Sequence, residues 1–308
     1  MSTAWLFPGQ GTQTVGMGKA LAQASPAARE VFERADRALG FSISTLCFEG
    51  PEAELTLTKH AQPAILTASI AALAALREAR PELAPPSYAA GHSLGEYSAL
   101  VAAGALAFED AVRLVHLRGR AMQDAVPEGR GAMAAIMGGE PESVSALCSE
   151  ASGGEVLSPA NYNAPGQIVI SGAAAAVARA VELAGGRKLK AIPLKVSAPF
   201  HCALMALAAA VVRAALAEIR VSALEFPVVS NVEARPNSDP EQVRELLVRQ
   251  IDGAVRFHES VVAMAEAGVT NGLEIGPGKV LAGLVKRIDK RISVIGCFEP
   301  DSFAAVSA

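Results

Sequence analysis

Cysteine is scarce in this 308-residue chain, and its four copies are far apart in the sequence. No C-x-x-C pair is present, and no group of histidines and cysteines has the spacing of metal ligands. The five histidines form no H-E-x-x-H pattern. We therefore expect reduced, buried thiols and neither a disulfide framework nor a metal site. The cysteines are Cys47, Cys148, Cys202 and Cys297.

An excess of positive charge is also missing. Lys and Arg total 27 against 31 Asp and Glu, so the formal charge is 27 − 31 = −4. Binders of nucleic acid or anionic lipid normally carry a basic stripe, so neither partner is expected. The longest uncharged apolar run, residues 61–76, is shorter than the roughly 20 residues that span a bilayer. The N-terminus lacks a signal-peptide pattern, so we expect a cytoplasmic protein with no membrane contact.

Two glycine motifs lack residues that a nucleotide phosphate would require. The Gly9-x-Gly11 segment has Thr14 where a dinucleotide fingerprint has its third glycine. The segment around Lys279 lacks both the first P-loop glycine and the Ser or Thr after the lysine. We therefore exclude nucleotide-phosphate binding by these motifs.

Strand-like and helix-like segments alternate through most of the chain, which is 51% apolar. Apolar strands are predicted at residues 4–7, 227–232 and 273–275, and buried or amphipathic helices at residues 66–76 and 280–288. Repeated β-α units imply a mainly parallel sheet covered by helices on both faces. The sequence therefore predicts an α/β fold.

The pattern changes between residues 131 and 197. Strands are predicted at 133–137, 155–161, 167–171 and 188–196, with helices at 141–151 and 173–184. The resulting order, β-α-β-β-α-β, is that of a ferredoxin-like unit. We therefore predict a small subdomain at residues 129–197, inserted into a core formed by residues 1–128 and 198–308.

A nucleophile elbow is predicted at Gly91-His92-Ser93-Leu94-Gly95, which follows a strand and opens a helix. In that context Ser93 would stand at the carboxyl edge of the sheet, with the Leu94 N–H aimed at a developing oxyanion. The alternative is a glycine-rich turn whose serine only caps a helix.

A serine hydroxyl needs a base to act as a nucleophile at neutral pH. His201 is the candidate, 201 − 93 = 108 residues after Ser93, where the inserted unit returns to the main sheet. A histidine between Phe200 and Cys202 could also be an ordinary core residue.

Arg118 lies on the apolar face of a predicted helix. Ala111, Val115, Arg118 and Met122 follow the i, i+4, i+7, i+11 spacing of one face. Burial of an unpaired guanidinium is costly, so Arg118 must face either an internal acid or an anionic ligand. Its planar fork suits a carboxylate.

Several motifs occur together in a characteristic order: Phe7-Pro8-Gly9-Gln10-Gly11, Gly91-His92-Ser93-Leu94-Gly95-Glu96, Arg118-Gly119, Phe200-His201-Cys202, Gln250 and Glu274-Ile275-Gly276-Pro277-Gly278. In this order the chain resembles the malonyl-CoA:acyl carrier protein transacylases over nearly its whole length. The resemblance implies an α/β-hydrolase-like core with a ferredoxin-like subdomain, in agreement with the pattern above.

The resemblance also implies ping-pong acyl transfer through a malonyl ester of Ser93, with His201 as the base. The main-chain N–H groups of Gln10 and Leu94 would form the oxyanion hole. Gln250 would orient His201 through its main-chain carbonyl, so that no third carboxylate is needed.

The same likeness assigns the substrate-binding residues and the partners. Arg118 would hold the free carboxylate of the malonyl group, and Phe200 would form a bulky wall that disfavours methylmalonyl. The partners would be coenzyme A thioesters and a holo acyl carrier protein with its phosphopantetheine arm. Malonyl-CoA would be a substrate, so no cofactor is expected. We expect the enzyme to be a monomer.

Other functions stay open at this point. An esterase or thioesterase would share the elbow, although hydrolases of that fold usually have an acid, a late histidine and an H-G-G-G-type loop, which are not seen. A catalytically silent carrier-binding module is the second alternative. The carrier could serve fatty-acid synthesis or polyketide synthesis.

Carrier proteins are generally acidic, so a basic patch near the mouth of the site is expected to bind them. Ordinary solvated side chains explain each candidate equally well. The candidates are Lys188, Lys190, Lys195, Lys286, Arg287, Lys290 and Arg291.

Overall fold

The computed structural model describes residues 2–306. In that range the strands are β1 (Ser2–Phe7), β2 (Tyr88–Gly91), β3 (Gly131–Met137), β4 (Leu157–Ala164), β5 (Gln167–Ala173), β6 (Lys190–Pro193), β7 (Val228–Val229), β8 (Pro236–Asn237), β9 (Val269–Ile275) and β10 (Ser293–Cys297). The α-helices are α1 (Lys19–Ala24), α2 (Pro26–Leu39), α3 (Ile43–Glu49), α4 (Glu52–Thr56), α5 (Thr58–Ala79), α6 (Leu94–Ala102), α7 (Phe108–Asp124), α8 (Pro141–Ser152), α9 (Ala174–Gly186), α10 (Ala206–Ala217), α11 (Pro240–Asp252), α12 (Phe257–Glu266) and α13 (Val280–Ile288). Short 3₁₀ helices cover Ala203–Met205 and Pro300–Ala305.

The large sheet has the strand order β10-β9-β1-β2-β7-β8. All of its pairs are parallel except the edge pair β7–β8. Alternate residues of β1 point to opposite faces: Trp5 and Phe7 belong to one buried apolar cluster, and Ala4 and Leu6 to another. Both faces are therefore covered, and the predicted α/β fold with a mainly parallel sheet is confirmed.

The small sheet is antiparallel and has the order β4-β5-β3-β6. Its strands and helices follow one another as β3-α8-β4-β5-α9-β6, the predicted ferredoxin-like arrangement. Ile136, Leu147, Ile170 and Val177 share the buried cluster between its strands and helices. The division at residues 129 and 197 into separate domains stays a prediction.

Hydrogen bonds join β4 of the small sheet to loops of the rest of the chain. The Tyr162 N–H donates to the Val255 carbonyl at 2.8 Å, and the Val255 N–H donates to the Ala160 carbonyl at 2.8 Å. Nε2 of His92 lies 2.7 Å from Oδ1 of Asn163 on β4. Because His92 precedes Ser93, the elbow itself is tied to the small sheet.

Helix α5 is longer than the prediction of residues 66–76, because it starts at Thr58 and continues through Pro63. Proline has no N–H, so the Lys59 carbonyl loses its helical hydrogen bond. Nδ1 of His116, on α7, lies 2.8 Å from that carbonyl and donates to it. Helix α5 therefore continues through Pro63, and the Lys59 carbonyl still has a hydrogen-bond donor. Within residues 2–306, no helix combines the length and apolar character needed to cross a membrane.

The strand predicted at residues 227–232 is wrong in extent. Only Val228–Val229 pairs with β2. The chain then turns, with the Ser230 N–H donating to the Arg235 carbonyl at 3.0 Å, and returns as β8. This turn brings Asn231 beside Ser93. The strand predicted at residues 188–196 is also shorter, since only Lys190–Pro193 pairs as β6.

Candidate active site

Ser93 stands between the end of β2 and the start of α6, as the G-x-S-x-G pattern predicts. Its φ of 50° and ψ of −102° lie outside the favoured regions for an L-residue. A Cβ at Gly91 would overlap the main chain of Gly95, and a Cβ at Gly95 would overlap the main chain of Phe7. Both positions therefore require glycine, and the sharp turn presents Ser93 to a cavity.

Asn231 braces this turn. Its Oδ1 accepts a hydrogen bond from the Ser93 N–H at 2.7 Å, and its Nδ2 donates to the Gly91 carbonyl at 2.7 Å. Asn231 is buried, so its side chain satisfies main-chain groups of the elbow that would otherwise need water as a partner. The two bonds help to hold the unusual main-chain conformation of Ser93.

His201 contacts the Ser93 hydroxyl. Its Nε2 lies 2.8 Å from Ser93 Oγ, and its Nδ1 lies 2.8 Å from the Gln250 main-chain oxygen. A carbonyl can only accept, so Nδ1 carries the proton and Nε2 presents a lone pair to the serine. Burial, followed by the charge of Arg118, lowers the pKa of His201 to about 3. The imidazole is therefore neutral at neutral pH and able to accept a proton.

Arg118 lies on the predicted inward face of α7 and is 1% exposed. Its Nη1 donates to Gln62 Oε1 at 2.7 Å. Its Nη2 donates to Gln250 Oε1 at 2.9 Å and to Ser93 Oγ at 3.1 Å. Among residues 2–306, no carboxylate forms an ion pair with it. Of the two interpretations that the sequence left open, this geometry favours an anionic ligand.

One cavity of about 520 Å³ brings together most of the predicted site residues, namely Gln10, Ser93, Arg118, Phe200 and His201. Leu94 begins α6, so its main-chain N–H has no partner within the helix. Gln250 is buried beside the cavity, where it bonds His201 and Arg118. The volume is in the range of small-molecule binding sites.

Side-chain bonds hold the loop that carries Gln10. Its Nε2 donates to Thr58 Oγ1 at 3.1 Å, and Thr58 Oγ1 lies 2.9 Å from Ser197 Oγ. These bonds join three segments: the loop after β1, the start of α5 and the chain that returns from the small sheet. Gln10 itself lines the cavity.

The chain matches known proteins over almost its whole length. The acyl transferase domain family matches residues 4–306. A malonyl CoA-acyl carrier protein transacylase of Bacillus subtilis is 48% identical over 302 residues, which are 97% of this chain and 94% of the relative. The chain belongs to the malonyl CoA-acyl carrier protein transacylase family.

Solved transacylase structures have the same fold. An acyl carrier protein S-malonyltransferase from Vibrio cholerae aligns with a TM-score of 0.96 at 44% identity, and each chain is covered over 100% of its length. A malonyl-transacylase in complex with a type II PKS acyl-carrier protein aligns with a TM-score of 0.95 at 44% identity, covering 99% of this chain and 98% of that one. The transacylase fold therefore accounts for the whole chain.

Sequence reasoning missed three residues of this candidate site. Gln62 accepts a hydrogen bond from Arg118. In the sequence it is marked only as a polar residue within an apolar run. Asn231 gave no signal, because it follows a two-residue strand in an irregular turn. Glu96 stands inside the recognised motif, but no role was assigned to it.

Glu96 is 2% exposed in the first turn of α6. Its Oε2 accepts from Gln250 Nε2 at 2.7 Å and from the Asn231 N–H at 3.1 Å. Burial raises the pKa of Glu96 to about 7, against the opposing effect of these hydrogen bonds and of Arg118. A buried carboxyl group thus lies directly behind the candidate site.

Proposed function

We propose that the protein transfers the malonyl group from malonyl-CoA to the phosphopantetheine thiol of an acyl carrier protein, through a malonyl ester of Ser93. One observation carries the proposal: the Ser93 hydroxyl lies 2.8 Å from the base nitrogen of His201 and 3.1 Å from the buried Arg118 guanidinium. A nucleophile, a base and a receptor for a carboxylate thus share one cavity.

In the first half-reaction, Ser93 Oγ attacks the thioester carbonyl of malonyl-CoA while His201 Nε2 takes the hydroxyl proton. The tetrahedral intermediate then breaks its carbon–sulfur bond. The departing coenzyme A thiolate takes the proton from His201 and leaves as a thiol. The product is the malonyl-Ser93 ester with His201 neutral again.

The main-chain N–H groups of Gln10 and Leu94 stabilise the oxyanion in this proposal. Leu94 supplies an N–H at the positive end of α6, which also favours negative charge. Gln10 approaches from the loop after β1, where Thr58 fixes its side chain.

In the second half-reaction, the carrier's phosphopantetheine thiol gives its proton to His201 and its sulfur attacks the ester carbonyl. The carbon–oxygen bond to Ser93 breaks, and Ser93 Oγ takes the proton back from His201. The chain's own groups supply all the proton transfers, so the proposed reaction uses neither a cofactor nor a metal.

Arg118 provides the selection for a diacid in this proposal. A malonyl group differs from acetyl by a carboxylate, which can occupy the guanidinium fork. An uncharged acyl group would leave the buried charge unpaired, and polar sites reject such analogues strongly. Phe200 lines the same cavity and would crowd the methyl branch of methylmalonyl.

The known relatives support a carrier protein as acceptor, since they are named for it and one was solved with a type II PKS carrier. We propose that coenzyme A thioesters are the donors. The enzyme is proposed to act as a cytoplasmic monomer, without nucleic acid or membrane.

We propose that the carrier contacts three lysines in and beside β6. Lys195 lines the cavity, and Lys188 and Lys190 are exposed nearby in the chain. The C-terminal candidates are partly engaged already, since Arg291 pairs with Asp289 at 2.6 Å and Arg287 donates to the Pro165 carbonyl at 3.1 Å. The first group includes a lysine that lines the cavity, so it is the better placed of the two to meet an acidic carrier.

Incubation with malonyl-CoA and a holo carrier protein tests the function, with both proteins weighed by mass spectrometry. We expect the carrier to gain one malonyl group, and the Ser93→Ala variant to transfer none. Free malonate with an unlabelled carrier would instead show a hydrolase. A fatty-acid carrier and a polyketide carrier assayed in parallel would show which is served.

A further inference from the structure

The side-chain amide of Gln250 has a fixed direction. Its Nε2 faces three acceptors: Glu96 Oε2 at 2.7 Å, the Ser93 carbonyl at 2.9 Å and, more distantly, Asn231 Oδ1 at 3.4 Å. Its Oε1 accepts from Arg118 Nη2 at 2.9 Å. A flipped amide would set its oxygen against these acceptors and its NH₂ against a guanidinium donor.

Glu96 is the ionisable member of that set of acceptors. It lies three residues after Ser93, on the turn of α6 that faces Gln250, and it forms the shorter of the two strong Nε2 bonds. The N-terminal end of a helix favours a carboxylate at this place. The Asn231 N–H, donating to the same Oε2, holds the carboxylate in position.

The orientation of Gln250 determines where the guanidinium points. The Arg118 fork is held between two amide oxygens, Gln62 Oε1 on Nη1 and Gln250 Oε1 on Nη2. Without the second oxygen, Nη2 keeps only the Ser93 hydroxyl as a partner. A substitution at Glu96 would therefore alter the orientation of Arg118 through the side-chain amide of Gln250, which contacts both residues.

We propose that Glu96 is a positioning residue for substrate selection: by fixing the amide of Gln250, it holds the Arg118 guanidinium in the direction that receives the carboxylate of the acyl group. This inference rests on the proposed malonyl transfer. It assigns Glu96 no contact with the substrate and no proton transfer.

Acylation by malonyl-CoA and by acetyl-CoA, each measured as kcat and KM separately, tests the role. In Glu96→Ala we expect kcat/KM for malonyl-CoA to fall at least about tenfold, mainly through KM, while acetyl-CoA changes less than about threefold. Glu96→Gln keeps an oxygen that can accept from Gln250, so it should retain most of the preference for malonyl. Equal losses with both thioesters, or no loss with either, would overturn the proposal.

Gln250→Leu removes the side-chain amide that connects Glu96 to Arg118. It keeps the main-chain carbonyl that binds His201. It provides the test if Glu96→Ala does not fold. We expect Gln250→Leu to lose the malonyl preference as well, and the double variant to lose no more than either single variant. Additive losses, or a Glu96→Gln variant as impaired as Glu96→Ala, would contradict the positioning role. Absence of malonyl transfer in the wild-type protein would instead refute the proposed function.

Discussion

The main-chain carbonyl of Gln250 accepts a hydrogen bond from Nδ1 of His201 at 2.8 Å. In a Ser-His-Asp triad the same nitrogen donates to a buried carboxylate, which also stabilises the imidazolium. A carbonyl fixes the tautomer and the ring direction without supplying that negative charge. Burial and the nearby Arg118 charge then keep the pKa of His201 low, at about 3.

The first prediction concerns pH. In the proposed reaction His201 acts as a base in its neutral form, so a lowered pKa should extend activity towards acid. We expect kcat/KM for acylation by malonyl-CoA to stay level as the pH falls through 6.5, the ordinary histidine value. Single-turnover coenzyme A release measures the profile. Half-loss of activity near pH 6.5, traced to His201, would contradict the burial argument.

The second prediction concerns Arg118. Its replacement by alanine should lower kcat/KM for malonyl-CoA at least about 100-fold, or ~3 kcal/mol, because in the proposed reaction the malonyl carboxylate would lose its charge-assisted hydrogen bonds to the guanidinium. Acetyl-CoA should lose far less. Arg120→Ala is the matched control, since Arg120 is exposed on the same helix. Equal losses for both thioesters would make Arg118 a structural residue only.

The third prediction concerns Asn231, which bonds the Ser93 N–H and the Gly91 carbonyl. Asn231→Ala leaves the buried Gly91 carbonyl and the partly buried Ser93 N–H without this partner, so the free energy of unfolding should drop by about 2–4 kcal/mol. Acylation of Ser93 should slow as well. Denaturant unfolding and burst kinetics measure these effects, with Asn237→Ala in the same hairpin as a control. Unchanged stability and an unchanged acylation rate would show that the elbow keeps its conformation without Asn231.

The fourth prediction concerns the proline inside α5. His116→Ala should destabilise the protein by about 1 kcal/mol, since the Lys59 carbonyl loses its donor. Alanine at position 63 restores an N–H to the helix. We therefore expect His116→Ala to cost less in a Pro63→Ala background, with an interaction energy of about 0.5–1 kcal/mol. Strictly additive effects in thermal unfolding would contradict the compensation.

Local patterns predicted the parts of the site that lie within one element. The spacing of glycines around Ser93 gave the elbow, and the helical period around Arg118 gave its inward direction. The order of six elements gave the ferredoxin-like sheet. Each of these features depends on a pattern within one continuous stretch of the chain.

Contacts between distant segments could not be predicted in this way. The carbonyl of Gln250 was expected to meet His201 only because of the family resemblance, as 49 residues separate them. Asn231 reaches the elbow from an irregular turn, and no period marks such a residue. The sequence does not predict the early start of α5. The side chain that bonds the carbonyl left free by Pro63 is His116, which lies on another helix.

Mapping of the acyl group after a mixed incubation tests the central claim most directly. The protein is treated with equal amounts of malonyl-CoA and acetyl-CoA without a carrier, digested and sequenced by mass spectrometry. We predict a malonyl ester on Ser93 in large excess over acetyl, and no ester in Ser93→Ala. Equal malonyl and acetyl on Ser93, or an acyl group on another residue, would contradict the account.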